Sequence, residues 1–350
     1  MIIFIILLFG VMLWRVKARP IGFDPAYMDR DSTESAKGIL AVLIMLAHMR
    51  FYITLSDSPV DTLYTSIILF VGQSMVSLFF FYSGYGILTS YSKKKNYLDS
   101  FINNRVFRIL VHFDLAVILY WIMSFIIDGK PVSFNNLALA FLGLKSLGNS
   151  CWYAFVIILT YLFAYFALRI CRGKRWVATA IVTGLIILFA VYAKYSKFEP
   201  HWYDTALCFP LGMVYAMLKD KIDAFMMKHN LIYYPIAVIS VALYVSSSIY
   251  YRTSFDIHIA VFKNLMAVIA WCFVTMKISF NNKILRWLGA HSFSIYMAHR
   301  IPMIILGHLL PEGFNYILYS AISFAIAIPF AFLLEKLFAL ADKILFPRSA

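Results

Sequence analysis

Residues 176–193 read WVATAIVTGLIILFAVYA, eighteen positions without a charge, closed by Lys174 and Arg175 on one side and Lys194 on the other. At a rise of about 1.5 Å per residue, a helix of this length nearly spans the roughly 30 Å hydrocarbon layer of a bilayer. Stretches of the same kind recur along the whole chain. The 350 residues are 62% hydrophobic and only 14% charged, a balance that soluble domains do not show. No polar segment is long enough for a separate folded domain, so the reading is an all-α, polytopic membrane bundle.

Working outward from 176–194, apolar runs place further spans at 1–16, 37–56, 65–90, 106–127, 150–170, 203–218, 231–250, 257–277, 289–310 and 315–340. Loops with turn residues separate them, such as DSPVD at 57–61 and PEGFN at 311–315. The stretch 137–147 is apolar but too short to span, and reads as a re-entrant or interfacial helix ahead of Cys151. The first run is followed, not preceded, by Arg15, Lys17 and Arg19. A secretory signal has the opposite order, so 1–19 reads as an uncleaved membrane helix with its N-terminus outside.

The net charge is +14. Its distribution excludes nucleic acid as the reason. Of 31 Lys and Arg, 23 fall on one and the same side of the membrane as the spans alternate, which makes that side cytosolic; Arg348 is the last of these. The other eight are Arg50, Lys130, Lys145, Lys194, Lys197, Arg252, Lys263 and Arg300. Trp14, Trp152, Trp176, Trp202 and Trp287 stand near span ends, as an aromatic belt does. Cys151, Cys171, Cys208 and Cys272 have neither metal-ligand nor disulfide spacing, and read as small buried hydrophobes.

Ionisable residues inside the membrane are costly and mark functional positions. His48 is about 16 Å along its span from Lys37, and His299 about 18 Å along its span from Trp287. Both spans run outward from the cytosol, so the imidazoles lie at matching depth. For either alone, a hydrogen bond to a neighbouring helix is an equally good account; two together favour a site. Arg50, Arg300 and Lys263 add cations with few carboxylates to pair them. Asp114 and Glu335 lie nearer the cytosolic side. The excess suits an anionic ligand, such as a phosphate-linked lipid carrier or an acidic sugar; snorkelling to the outer surface is the alternative, and it suits Lys263 well and Arg300 poorly. At the cytosolic edge of the fourth span, the three-residue spacing of Arg105 and Arg108 puts both on one helix face. That pair suits phosphate clamping, or simple anchoring by the positive-inside rule. His112, one turn on from Arg108, extends the same face.

Several segments together resemble acyltransferase family 3 membrane proteins, of the polysaccharide O-acetylase type. Glu34-Ser-Ala-Lys37-Gly38, followed ten residues later by His48, resembles the family's opening motif. Phe79-Phe-Phe-Tyr-Ser83-Gly84-Tyr-Gly is similar to its aromatic-Ser-Gly segment. Arg105-x-x-Arg108, Cys151-Trp152-Tyr153, Phe209-Pro-Leu-Gly212 and Ser292-Phe-Ser294-Ile-Tyr296-Met-Ala-His299-Arg-Ile-Pro302 follow in the family's order. The chain departs from the pattern in having Glu34 where Asp is commoner, an extra N-terminal helix, and no attached hydrolase-like domain.

The resemblance implies a ten-helix acyltransferase domain over 31–346, preceded by the helix at 1–19. It implies transfer of an acetyl or other acyl group from cytosolic acyl-CoA to a hydroxyl of a cell-envelope glycan or lipid-linked sugar, in a bacterial inner membrane and without a metal. His48 would be general base, with Ser83, Tyr296 and His299 as oxyanion donors. Arg105, Arg108, Lys37, Glu34 and His112 would serve the CoA side, and Arg50, Trp152, Lys263 and Arg300 the acceptor. Gly84 and Gly86 would let helices pack closely. A transporter or flippase for an anionic or lipid-linked glycan is the competing reading; it accounts for the spans and cations but not for paired histidines.

Overall fold

The computed structural model describes residues 1–129 and 131–347; Lys130 and Arg348 lie outside the described residues. In chain order the helices are α1 (Ile2–Leu13), α2 (Arg30–Met49), α3 (Pro59–Val71), α4 (Ser74–Lys93), α5 (Arg108–Asp128), α6 (Phe134–Phe141), α7 (Cys151–Cys171), α8 (Arg175–Tyr195), α9 (Cys208–Lys228), α10 (Asn230–Ser254), α11 (Ile257–Lys277), α12 (Lys283–Ala290), α13 (Ser292–Ala298), α14 (Arg300–Leu309) and α15 (Tyr316–Leu345). A π-helical turn, Ile102–Phe107, leads into α5. The described residues hold one small sheet, Lys17–Ala18 paired antiparallel with Ile278–Ser279, which ties the segment after α1 to the end of α11.

Seven helical stretches among the described residues are long and apolar enough to cross a membrane: Pro59–Lys93, Ile102–Asp128, α7, α8, α10, α11 and α15. The chain is a multi-pass, nearly all-helical membrane protein. The remaining expected spans fall on helices that do not meet that measure, for visible reasons. α1 has 12 residues. α2 opens with Arg30, Asp31, Glu34 and Lys37, and α9 carries Lys219, Asp220, Lys221 and Asp223. The stretch 289–310 is cut into α12, α13 and α14. The short segment ahead of Cys151 does contain a helix, α6, capped at its start by Ser133.

Two interruptions shape the site. Gly72 takes φ 45°, which ends α3 and lets α4 start two residues later. His299 stands between α13 and α14. α2 runs between two cores: Ala36, Leu40 and Ile44 face one, and Ala41, Met45, Leu46 and Met49 face the other. A helix packed on both sides has little freedom to rotate, and this fixes where His48 points.

Glycine sets the closest helix approaches. A Cβ at Gly84 of α4 would collide with the Phe209 carbonyl of α9, and a Cβ at Gly212 of α9 would collide with the Phe81 carbonyl of α4. Gly38 of α2 and Gly289 of α12 meet each other's helices in the same reciprocal way. Gly86 has open space around its missing Cβ, so close packing is not its role.

Candidate active site

α2 and the α13–α14 junction bring His48 and His299 together. His48 Nδ1 lies 2.7 Å from His299 Nε2, with the rings stacked at 4.9 Å. His299 is fully buried, and its Nδ1 lies 2.9 Å from the Tyr296 carbonyl and 3.1 Å from the Ile295 carbonyl. Carbonyl oxygens only accept, so His299 Nδ1 carries the hydrogen. With His299 neutral, its Nε2 then accepts from His48 Nδ1–H. The second nitrogen of His48, Nε2, is left as an acceptor. These partners assign both tautomers.

His48 Nε2 faces a cavity of about 710 Å³ lined by residues of α2, α3, α4, α7, α10, α11, α13 and α14 and by the turns at 142–150 and 199–202. Those turns are on the side that the charge pattern of the sequence assigns as outer. Ser150 Oγ stands 3.4 Å from His48 Nε2. Arg300 Nη1 is 3.5 Å from the same oxygen, while Arg300 Nε donates to Tyr52 Oη at 2.9 Å. Tyr296 Oη donates to the Ser150 carbonyl at 2.9 Å, so the Tyr296 hydroxyl hydrogen is already engaged.

Arg50, Trp152, Lys263 and Arg300 all line this cavity, and Glu199 is its only carboxylate among the described residues. Lys263 is 2% exposed, with Nζ 4.7 Å from the centre of the Tyr251 ring. It does not snorkel outward: the helix break at Gly72 opens room for its ammonium inside the bundle, beside that glycine. Glu199 pairs with His201 at 3.2 Å, and the His201 ring meets Trp152 edge-on at 5.2 Å. Burial pushes the His201 imidazole below its ordinary value, against the opposing pull of Glu199.

The residues expected on the cytosolic side separate more than their spacing implies. The π turn carries Arg105 towards Tyr97 and Tyr161. Arg108 instead has Nε 3.3 Å from Asp342, and His112 Nε2 lies 3.0 Å from the same carboxylate. Arg108 and His112 therefore share one partner, and Arg105 is apart from them and exposed. Glu34 pairs with Arg30 at 2.7 Å rather than with Lys37, whose ammonium lies 6.0 Å from the centre of the Tyr82 ring. Ser83 does not line the cavity; its Oγ accepts from Tyr161 Oη at 3.2 Å.

A family model described as an acyltransferase domain matches residues 31–336 of the 350. The chain belongs to acyltransferase family 3. Neither a curated protein nor a solved structure matches it. The acyltransferase 3 match takes in every residue named above from Glu34 to Arg300, and so contains the histidine pair and the whole cavity. Asp342, the partner of Arg108 and His112, lies beyond it.

Sequence reasoning missed Ser150, Asn149, His201 and Asp342. Ser150 and Asn149 sit in the polar turn GNS at 148–150, where nothing in their spacing points to a histidine 102 positions away. The one available signal was their place directly before the Cys151-Trp152-Tyr153 element.

Proposed function

We propose that this acyltransferase moves an acetyl or other acyl group from cytosolic acyl-CoA to a hydroxyl of a cell-envelope glycan or lipid-linked sugar, with His48 as general base. The reading places it in a bacterial inner membrane, with acetyl-CoA as co-substrate and no metal. One observation carries it: the imidazole pair leaves His48 Nε2 as a lone pair facing the cavity. A neutral imidazole so held takes a proton from a hydroxyl as its oxygen attacks a thioester carbonyl. His299 orients His48 and accepts its Nδ1–H throughout, which favours the imidazolium that forms on proton uptake.

The cavity supports an acceptor arriving from the outer side. Trp152, Trp202 and Tyr251 give it aromatic faces, and Arg50 and Arg300 give it positive charge, with Lys263 beside the buried Asp204 carboxylate. That lining suits a sugar with a carboxylate or phosphate. On the opposite edge, exposed Arg105 is the better placed of the two arginines for a CoA phosphate, because Arg108 is already held by Asp342.

The test is thioester consumption. The purified chain in nanodiscs is given labelled acetyl-CoA and a panel of envelope glycans. Acyl transfer to a glycan supports the proposal. Glycan movement with no thioester cleaved would instead support the transport reading.

A further inference from the structure

Ser150 is the N-cap of α7, yet its side chain caps nothing. A serine at that position ordinarily accepts from the second or third helical N–H. Here the hydroxyl faces His48 Nε2 at 3.4 Å and Arg300 Nη1 at 3.5 Å. The turn before it is tightly specified. Ser146 Oγ donates to the Asn149 carbonyl at 2.5 Å, the Asn149 side chain accepts from Leu147 N–H at 3.1 Å, and Gly148 takes φ 108°. Tyr296 clamps the Ser150 carbonyl from the α13 side.

A second observation points to chemistry at this turn. Asn149 is 5% exposed and lines the cavity, and its Nδ2 is buried with no hydrogen-bond partner. An unmade donor of this kind is costly, and it is what an oxyanion-stabilising group looks like before substrate arrives. We infer that Ser150 is a catalytic nucleophile, in a Ser150–His48–His299 relay that carries the acyl group covalently between donor and acceptor. The inference rests on the acyltransferase reading above and adds the route.

In the first half-reaction Ser150 Oγ bonds to the thioester carbonyl carbon while His48 Nε2 takes the hydroxyl proton. Asn149 Nδ2–H and Arg300 Nη1–H hold the resulting oxyanion. Collapse breaks the carbon–sulfur bond, and the leaving thiolate takes the proton back from His48. In the second, the acceptor hydroxyl gives its proton to His48 Nε2 as its oxygen attacks the serine ester. The carbon–Oγ bond breaks, and Ser150 Oγ recovers the proton. The two substrates enter from opposite faces, and a covalent carrier lets one leave before the other binds.

The test incubates the purified chain in nanodiscs with labelled acetyl-CoA and no acceptor, followed by acid quench and peptide mapping. The expected result is acyl label on the peptide containing Ser150, retained in Cys151→Ala. Ser150→Ala is expected to lose the label and to lower transfer by about 10³-fold or more, while still binding acetyl-CoA. Ser150→Cys is expected to carry a hydroxylamine-sensitive thioester. Transfer by Ser150→Ala at the wild-type rate, or wild-type transfer with no label trapped on Ser150, overturns the covalent route and leaves the acyltransferase reading standing. No acetyl transfer by wild type to any acceptor overturns both.

Discussion

His48 Nδ1 and His299 Nε2 are 2.7 Å apart across 251 positions of sequence, and the backbone carbonyls behind His299 leave His48 Nε2 as the ring nitrogen that faces the cavity. The two histidines are therefore unequal. His48→Ala is expected to lower the transfer rate by about 10²- to 10⁴-fold, the range of a lost general base. His299→Ala is expected to cost less, because His48 remains. His299→Gln, whose amide oxygen accepts from His48 Nδ1–H, is expected to recover part of that loss. Steady-state kcat in nanodiscs decides it: equal losses in both alanine variants, with no recovery in His299→Gln, contradict the assignment.

The cytosolic arginines are predicted to differ in the same spirit. Arg105→Ala is expected to weaken acetyl-CoA binding by about tenfold to a hundredfold, the equivalent of a charged hydrogen bond. Arg108→Ala is expected to do less, since its guanidinium already lies beside Asp342. Isothermal titration with acetyl-CoA reads both, and an equal loss in the two variants would mean a joint clamp after all.

The reciprocal glycine contacts make a stability prediction. Gly84→Ala or Gly212→Ala puts a methyl group against the facing carbonyl, and overpacking of this kind costs about 1–3 kcal/mol. Gly86→Ala, in open space, is expected to be neutral. Thermal unfolding in one detergent separates them.

His201 gives a pH dependence outside the membrane-spanning segments. Burial holds its folded-state imidazole below the ordinary value, so the unfolded chain binds more protons and stability rises with pH. As pH falls through the ordinary histidine range near about 6.5, protonation favours unfolding. His201→Gln is expected to lose less thermal stability than wild type between about pH 7 and pH 5. Parallel curves would remove His201 from the account.

Much of this was legible in the chain itself, for physical reasons that differ by residue. A charge in an apolar run is visible against its neighbours, and this marks His48, His299, Arg50 and Arg300 in the sequence. Helical rise was enough to put the two imidazoles at one depth. The rest depended on turns and long-range contacts. The three-residue spacing of Arg105 and Arg108 presumed an α turn, and the π turn redirected one of them. Lys263 suited an outward reach until the break at Gly72 gave it a buried place. Ser150 and Asn149 were unremarkable in a polar loop, because the histidine that gives Ser150 meaning lies on α2. Asp342 sits near the end of α15, 230 positions from His112, and no local pattern joins them.

The acceptor side carries its own expectation. Lys263→Gln is expected to raise KM for an acidic glycan and to leave KM for a neutral one nearly unchanged, because its buried ammonium borders the cavity with its charge offset only in part by the neighbouring buried carboxylate of Asp204. Equal effects on both acceptors would make Lys263 a structural residue.

The most direct test of the central claim separates binding from chemistry in one preparation. Wild type, His48→Ala and the Arg105→Ala/Arg108→Ala double variant are given labelled acetyl-CoA and an accepting glycan, and bound and transferred label are counted. The account predicts that wild type binds and transfers, His48→Ala binds without transferring, and the double variant binds no more tightly than Arg105→Ala alone. Transfer by His48→Ala at the wild-type rate would contradict it.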